Sequence, residues 1–405
     1  MKTLIKLAWR NIWRNKRRSF ISIASVLFAV MFAVMADSFE RGTYEISIKN
    51  MVEFSTGYIQ IQDVLYEEEP SIDNILLYDD ELLSILENFE NDIGYTVPRI
   101  QSFVLAAGET KTRGAFVMGI DPVKELNLND LDERLTQGEF LSPNDDAVVI
   151  GEGLARVMNL GIGDTLILIG QGFRGVNAAG MFPVKGIVSL SIPDMNNNAV
   201  YMSLGKAQWF FGAYDRLSSL IIMPNNPRHT NRIAESLNQE LDSEWYRALT
   251  WEEMLVDLLR MMEVDRAGSR MIAYILYIVI AFGLFGTILT MMLERIKEFK
   301  MMISIGMKRF QLALVCLFES IFLSFIGVLM GLFITFPIAL YFNLNPIQLS
   351  GDIVDLMDDF GFDAIVPTSV APDIFFTEAL TVFIIALLIG IYPIIKVYRL
   401  KTRRD

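Results

Sequence analysis

Histidine and cysteine, the side chains that most often supply catalytic bases, nucleophiles and zinc ligands, occur once each in this chain, as His229 and Cys316. A single cysteine excludes an internal disulfide and a cysteine-based zinc site, and a single histidine argues against a histidine-dependent metal site or triad. The nucleotide-binding pattern G-x-x-x-x-G-K-[ST] does not occur in the sequence either. We therefore expect no catalytic residue, no metal ion and no cofactor in this chain, and no enzymatic activity of its own.

Two short patterns resemble parts of ligand-binding motifs. Gly170–Gly175 reads G-x-G-x-x-G after a predicted strand, but VNAAGMFPV follows it, where a dinucleotide site needs a helix. Asp194–Asn198 has the polar residues of a calcium loop without its glycine or its distal glutamate. The first pattern predicts a loop and the second a turn, and neither predicts a binding site.

The elements that position any functional residue include four apolar segments. The chain is 52% hydrophobic, more than a typical soluble protein, yet 20% charged, more than a protein wholly buried in a membrane. The segments that reach the about 20 residues needed for a membrane-spanning helix are Ser19–Ser38, Met271–Leu293, Leu312–Phe342 and Ile374–Val397. The sequence thus predicts an α-helical membrane protein with four transmembrane helices.

Residues 43–270, between the first two spans, have the strand and turn pattern of a soluble domain. The alternation in Thr56–Gln62 (TGYIQIQ) predicts a strand with Ile59 and Ile61 on its one buried face. Asp79–Phe89 predicts an amphipathic helix, and Thr250–Arg270 predicts a helix that leads directly into the second span. We therefore predict a large α+β domain between helices 1 and 2.

Lysine and arginine fix the predicted orientation, because cytoplasmic loops of membrane proteins are enriched in them. These residues cluster before the first span, between the second and third spans, and after the fourth. The stretch 343–373 has no lysine or arginine and carries six aspartates. The three basic regions are therefore predicted to be cytoplasmic, and residues 43–270 and 343–373 extracytoplasmic.

The predicted order along the chain has nine parts. They are a cytoplasmic amphipathic helix (1–18), the first span (19–42), the extracytoplasmic α+β domain with a stalk (43–270), the second span (271–293), a cytoplasmic helix (294–311), the third span (312–342), an extracytoplasmic loop (343–373), the fourth span (374–397) and a cytoplasmic tail (398–405).

The N-terminus permits two interpretations. A basic region, an apolar run and Val34-Met35-Ala36 before Asp37 resemble a cleavable signal peptide. The run Phe20–Ala36 is longer than a usual signal core, so we expect it to stay as a membrane anchor.

The basic segment before the first span has helical periodicity. Apolar and basic residues recur there every four positions, in two neighbouring ridges formed by Ile5, Trp9 and Trp13 and by Lys6, Arg10 and Arg14. Such a helix suits the lipid headgroup level, which predicts membrane-interface roles for Trp9, Arg10, Trp13 and Arg14. The alternative is that the charges only set topology.

One carboxylate stands out inside a predicted span. Glu319 lies about 11 Å from the cytoplasmic end of the third span, at 1.5 Å per residue. A lone carboxylate is costly in lipid, so we expect it to pair with a neighbouring helix or to face a cavity.

The segment Glu294–Gln311 (ERIKEFKMMISIGMKRFQ) combines charge with amphipathic periodicity. Ile296, Phe299 and Ile303 fall on one helical face with charged residues around the remainder, and Gly306 is predicted to end the helix. A rigid basic helix beneath two spans would give a cytoplasmic partner a surface through which it could move both spans together. The alternative is again that its cations only set topology.

The sequence EFKMMISIGMKRFQL closely resembles the signature E-[FI]-G-x-[ML]-x-[AS]-[LI]-G-M-[KR]-x-x-Q of ABC transporter permeases of the MacB/LolC/FtsX superfamily. Three other stretches are similar to the same family: the N-terminal AWRNIWRNKRRSFISIASV, GYIQIQ, and the segment from VMGIDP to GLARVMNLGIGDTLIL. The resemblance extends over nearly the whole chain. Lys300 departs from it, because family members usually have glycine there.

The resemblance implies a coupling helix that docks on a separate ABC ATPase chain, which would bind ATP and magnesium. The residues it assigns to coupling are Glu298, Phe299, Met302, Ile305, Gly306, Met307 and Lys308. We expect Phe299, Met302 and Ile305 to fill an apolar cleft on the ATPase. Glu298 and Lys308 would fix the register, and Gly306 would permit the sharp turn.

The resemblance further implies mechanotransmission in the bacterial inner membrane. A second permease protomer, identical or paralogous, would complete the assembly, and substrate would be handled on the periplasmic side. The matches at GYIQIQ and IGMKRFQ favour lipoprotein release of the LolC/LolE type, in which a lipoprotein is the substrate and a periplasmic carrier receives it. The alternatives are MacB-like export of peptides or small amphiphiles and FtsX-like regulation of a cell-wall hydrolase. We expect no nucleic-acid partner.

Overall fold

The computed structural model describes residues 1–14, 16–108, 111–190, 192–349 and 365–399. They form two compact units. The helical unit holds Met1–Ile46, Met261–Gln348 and the residues from Ile365 onward, and the sheet unit holds Ser47–Arg260 with Leu349. Parts of the predicted loop 343–373 and of the predicted tail 398–405 lie outside the described residues.

The helices found in the described ranges are numbered along the chain. They are α1 (Lys2–Arg14), α2 (Lys16–Met51), α3 (Asp80–Glu87), α4 (Pro122–Asn129), α5 (Glu152–Met158), α6 (Pro193–Asn198), α7 (Leu204–Phe211), α8 (Thr230–Glu240), α9 (Trp251–Met254), α10 (Val256–Ser304), α11 (Arg309–Leu344) and α12 (Pro372–Tyr398). Short π and 3-10 turns cover Val52–Thr56, Phe173–Gly175 and Pro227–His229.

The strands are numbered in the same way. They are β1 (Ile59–Asp63), β2 (Leu76–Leu77), β3 (Ile93–Ala107), β4 (Thr112–Ile120), β5 (Leu135–Gly138), β6 (Val148–Gly151), β7 (Thr165–Gln171), β8 (Asn177–Val188), β9 (Ala199–Ser203), β10 (Arg216–Leu217), β11 (Ser219–Pro224), β12 (Tyr246–Thr250), β13 (Ile347–Gln348) and β14 (Ile365–Val366).

Four helices have the length and composition to cross a membrane. These are α2, α10, α11 and α12, each with an 18-residue window of mean hydropathy 2.4 or 2.5. The finding confirms the predicted four transmembrane helices. The helices extend beyond the predicted spans, because no proline interrupts α2 or α10 at the membrane boundary.

Small residues allow α11 to pack closely against α2. A Cβ atom on Gly327 would lie 2.6 Å from the Cβ of Val26, and one on Gly331 would lie 2.9 Å from the Cβ of Val30. The two glycines are four residues apart and therefore share one face of α11. Helices associate in lipid mainly by such close packing, so this contact fixes the first span against the third.

The sheet unit is built on one mixed sheet of ten strands, counted over the described residues. Its order is β12-β1-β11-β3-β4-β9-β6-β8-β5, and β7 pairs with both β3 and β8. Neighbours are antiparallel except for β4 with β9 and β6 with β8. Helices cover its two main apolar cores, one around Ile100, Leu168 and Phe211 and the other around Ile61 and Leu237. The predicted α+β domain is confirmed.

Local signals explain several boundaries in the sheet unit. Asp79 caps α3 by accepting the Leu82 N–H at 3.0 Å, which confirms the predicted helix and its start. Gly170 and Gln171 end β7, and a loop with a 3-10 turn at Phe173–Gly175 follows before β8, so the loop predicted at Gly170–Gly175 is confirmed for Gly172–Gly175.

Two sequence predictions in the sheet unit were wrong. Gln60 and Gln62, expected on an open face of β1, are both buried. The Gln62 Nε2 donates to Gln60 Oε1 at 2.7 Å, and Gln60 Nε2 donates to the Thr56 carbonyl at 2.7 Å. Asp194–Asn198, expected to be a turn, belongs to the short helix α6, because Pro193 provides a favourable first helical position.

Candidate functional site

The basic end of the helical unit contains most of the residues to which the sequence assigned a function. α10 continues without a break from Val256 to Ser304, so residues 294–304 of the predicted separate helix at 294–311 are instead the last part of the second span's helix, and residues 309–311 belong to α11. No proline or glycine separates Leu293 from Ser304, and the charged residues there favour helix. Any force on this end therefore acts directly on the span.

Gly306 ends the helix as predicted. Its φ of 109° lies in the region that favours glycine. The Gly306 N–H donates to the Ile303 carbonyl at 3.0 Å, and the Met307 N–H donates to the Met302 carbonyl at 3.1 Å. α11 then starts at Arg309, with the Lys308 N–H bonded to Gln311 Oε1 at 3.2 Å. Four residues thus reverse the chain between two long helices.

We expect Gly306→Val to weaken this turn, because a β-branched side chain resists positive φ. The expected cost is about 1–3 kcal/mol of conformational strain. A Cβ atom here meets nothing within 4 Å, so strain rather than a clash would be measured. The control is Gly268→Val, at a helical position of α10 with equally open surroundings. Equal melting temperatures for the two variants in detergent would contradict the expectation.

The inner face of the helix end packs within the chain. Phe299 is only 2% exposed and contacts an apolar group, here called the end cluster, that also contains Met292, Leu312, Ala313, Cys316 and Val397. Met302 and Met307 are half-buried against the same cluster. The expectation that Phe299 fills a cleft on another protein is therefore wrong for this conformation, because α11 and α12 already cover it.

The outer face of the same helix end is open. It carries a group of exposed residues, here called the exposed stripe, made of Lys297, Lys300, Met301 and Ser304 of α10 and of Ile305 and Lys308 in the turn that follows. Met301 is 57% and Ile305 79% exposed. Of the apolar side chains expected to contact the ATPase, only Ile305 is exposed enough to do so. Met301, which was not expected to contact it, is exposed as well. The stripe presents two apolar side chains among three cations.

A buried ion pair connects α10 to α11. The Arg295 guanidinium donates to both carboxylate oxygens of Glu319, with the Nη2 to Oε1 distance 3.2 Å, and each residue is only 5% exposed. The expectation that Glu319 pairs with a neighbouring helix is confirmed. Arg295, which the sequence suggested only as a topogenic charge, is its partner.

Exposed ion pairs connect the same helix end to the N-terminal region. Arg18 Nε lies 2.7 Å from Glu294 Oε2, and Arg14 Nη2 lies 3.5 Å from Glu298 Oε2. Glu298, expected to set the register on a partner, is thus already engaged within the chain. Pairs this exposed contribute little stability, but they place both helices at one basic surface.

The predicted N-terminal helix is present as α1. Its buried residues are Ala8, Asn11 and Ile12. Trp9 packs edge-on against Phe322 of α11 at 5.5 Å, while Arg10 and Trp13 are exposed. The apolar ridge is therefore divided between packing on the third span and open surface, a geometry that suits the membrane interface.

Sequence analysis missed a second intramembrane carboxylate. Glu378 in α12 accepts hydrogen bonds from the Tyr277 hydroxyl of α10 at 2.7 and 2.8 Å. Both line a polar cavity of about 660 Å³ that Asp37 and Arg266 also border. The signal was available, since a glutamate in an apolar span is a functional candidate by default.

Within the described residues, no group of three or more histidine, cysteine, aspartate or glutamate side chains could hold a metal ion. The arrangement at the basic end offers contacts and rigid connections between helices.

Comparison with known proteins gives a consistent result. A model of the MacB-like periplasmic core domain matches residues 19–240, more than half of the chain, and a model of the FtsX-like permease C-terminal region matches residues 270–402. A search of curated proteins found no match.

Two solved structures are among those similar to the chain. The periplasmic region of MacB from Actinobacillus actinomycetemcomitans is 16% identical, with a TM-score of 0.37, over 52% of this chain and 95% of that one. The extracellular domain of the noncanonic ABC-type transporter YknZ from Gram-positive bacteria is 13% identical, with a TM-score of 0.34, over 48% of this chain and 100% of that one. From the family models, together with the four spans and the domain between the first two, the chain belongs to the ABC-type permeases of the MacB/FtsX family.

Proposed function

We propose that this chain is the non-enzymatic membrane subunit of a transporter that works by mechanotransmission. A separate ATPase chain would bind ATP and magnesium and would dock on the exposed stripe at the end of α10. Closure of two ATPases would move this end, and the spans would carry the motion to the extracytoplasmic domain. This proposal rests on one observation: the outer face of this helix end is exposed, and its inner face is packed against α11 and α12.

The exposed stripe has the properties of a small docking surface. Ile305 and Met301 provide apolar contact, and Lys297, Lys300 and Lys308 can pair with acidic groups on a partner. Short interfaces depend on a few such anchors surrounded by a polar rim.

The opposite face supports transmission of force. Phe299 is embedded in the end cluster, and Arg295 is bound to Glu319 of α11. A displacement of the stripe would therefore move α10 and α11 together instead of bending the turn between them. α2 and α10 are each one uninterrupted helix, which suits the transfer of a rigid-body movement along the first two spans.

A second permease protomer, identical or paralogous, is part of the proposal. In the apolar window of α10 only 11% of residues are buried within the chain, against 56% in that of α11. The second span thus has the largest face left for lipid or for another protomer. Such helix pairs in membranes are stabilised mainly by close packing.

For the substrate we propose an acylated lipoprotein, released from the outer leaflet of the bacterial inner membrane to a periplasmic carrier. The similarity of GYIQIQ and IGMKRFQ to lipoprotein-releasing permeases supports this choice. Export of peptides or small amphiphiles, and control of a cell-wall hydrolase, are the other activities to be distinguished.

Purification of the tagged chain from its native membrane would test the proposal. We expect an ABC ATPase to copurify in the presence of a non-hydrolysable ATP analogue, together with an acylated protein. An adaptor protein would instead indicate export, and a hydrolase would indicate regulation. A preparation without any ATPase, from a membrane that contains intact protein, would contradict the proposed mechanism.

A further inference from the structure

A basic groove between α2 and α10, within the helical unit, is not explained by the proposed coupling mechanism. It encloses about 910 Å³, which is within the usual range for a ligand site. Its basic end is bordered by Arg14, Lys16, Arg17 and Arg18, and Glu294 is the one carboxylate among its lining residues. The groove therefore favours an anionic ligand.

Two of these cations are available for that ligand. Arg18 is bound to Glu294 at 2.7 Å, and Arg14 approaches Glu298 at 3.5 Å. Among the residues that the structure describes, Lys16 and Arg17 form no ion pair with a carboxylate, and both side chains are exposed. They lie at the start of α2, where the first span enters the membrane.

The remainder of the groove is apolar or uncharged. Gly283 and Gly286 form an open floor, because a Cβ atom on either would meet nothing within 4 Å. Ile21 and Phe282 provide exposed apolar walls. From Glu294 to Phe282 the groove follows α10 for about 18 Å at 1.5 Å per residue, close to the roughly 15 Å of one hydrocarbon leaflet.

We propose that this groove is a binding site for an anionic phospholipid of the cytoplasmic leaflet, with the phosphate at Lys16 and Arg17 and an acyl chain along Gly283 and Gly286. Basic pockets between membrane helices are suited to such headgroups. The second protomer of the proposed function would pack on the remaining open surface of α10, because two copies facing each other at this basic end would bring like charges together. Lipid binding at this site requires neither an ATPase nor a transported substrate.

Native mass spectrometry of the full chain, titrated with phosphatidylglycerol and with phosphatidylcholine, tests the site. We expect phosphatidylglycerol to bind preferentially. The double variant Lys16→Gln/Arg17→Gln should weaken its binding about 25-fold, at about fivefold for each cation near the headgroup. Gly286→Leu should weaken binding of the same lipid with every charge in place, because its side chain would occupy the floor of the groove.

Matched control variants distinguish a specific lipid-binding site from general electrostatic attraction of anionic lipid. Lys297→Gln/Lys300→Gln removes the same charge at the same end of the molecule but outside the groove, and should leave the affinity unchanged. Gly268→Leu adds the same side chain to an open position of α10 away from the groove. An equal loss of lipid in both charge variants would mean diffuse attraction and would overturn the proposal.

Two further outcomes would also overturn it. Displacement of bound phosphatidylglycerol by excess inorganic phosphate would assign the cations to a free anion. Unchanged lipid binding in Gly286→Leu, combined with loss of self-association, would assign the groove to a second copy of the chain. Melting temperatures of all variants should match the parent, since the replaced residues make no buried contact.

Discussion

Replacing Arg295 with methionine is expected to destabilise the helical unit by about 3–5 kcal/mol, because Glu319 would remain buried without its partner. The carboxylate is 5% exposed and has Arg295 as its ion-pair partner in the described structure. The variant protein would have to bury a carboxylate without its cation, which lowers the free energy of unfolding.

The double variant Arg295→Met/Glu319→Leu should regain most of this stability. Buried pairs replaced together by apolar residues of similar size are often as stable as the original pair. Unfolding curves in mixed micelles for the parent, both single variants and the double variant would give the coupling energy. Glu294→Gln is the matched control, since its exposed pair with Arg18 does not involve Arg295 or Glu319 and should contribute only about 0–1 kcal/mol.

The same set of variants also tests whether the ion pair has a role in transport beyond stability. If the pair serves only to hold α10 and α11 together, the double variant should couple ATP hydrolysis to transport as well as the parent does. Losses of stability in the single variants no larger than that of Glu294→Gln would show that water reaches Glu319 freely. The rigid connection between the two helices would then have to come from the end cluster alone.

The buried pair illustrates what sequence could not predict. The cost of a carboxylate in lipid predicts that Glu319 must have a partner, but nothing local identifies which cation on which helix supplies it. Arg295 obeys the positive-inside rule equally well whether it is exposed or buried. Twenty-four residues separate the two, and only the close packing of α10 on α11 brings them together.

Helix existence and helix ends were predictable for local reasons. Long apolar runs predicted the four spans, and Gly306 predicted the end of α10, because both signals depend on residues within one or two turns. The strand at Ile59–Asp63 was also predicted, but its second buried face was not. Whether Gln60 faces water depends on what covers the sheet, and alternation along one strand carries no such information.

The lack of long-range information in a sequence pattern also explains why Phe299 was wrongly expected to contact the ATPase. Periodicity groups Ile296, Phe299 and Ile303 on one face of the helix end, and an apolar face must be covered by something. The pattern is identical whether a partner protein or α11 and α12 provide the cover. In this fold the chain covers its own apolar face, and the side chains left for a partner, Met301 and Ile305, come from the mixed face.

We expect Ile305→Asp to reduce docking of the ATPase at least about 100-fold while leaving the permease folded. Central apolar anchors of small interfaces typically contribute 2 kcal/mol or more, and a buried, unpaired carboxylate adds a further cost. Ile305 is 79% exposed in the isolated chain, so aspartate there should have little effect on folding. Affinity of the purified ATPase for permease in nanodiscs would measure the loss.

Phe299→Ala provides the contrasting variant. It removes a buried ring from the end cluster and should lower the stability of the permease by about 3–5 kcal/mol, so any loss of docking would follow unfolding. Ile305→Ser is a milder replacement at the docking position and should weaken docking less than aspartate does.

Lys297→Gln/Lys300→Gln tests whether the cations of the exposed stripe act only in topology, in which case docking would be unaffected once insertion is normal. Full ATPase binding by a folded Ile305→Asp variant would contradict the assignment of Ile305 as an anchor and would leave Met301 as the one apolar side chain of the exposed stripe.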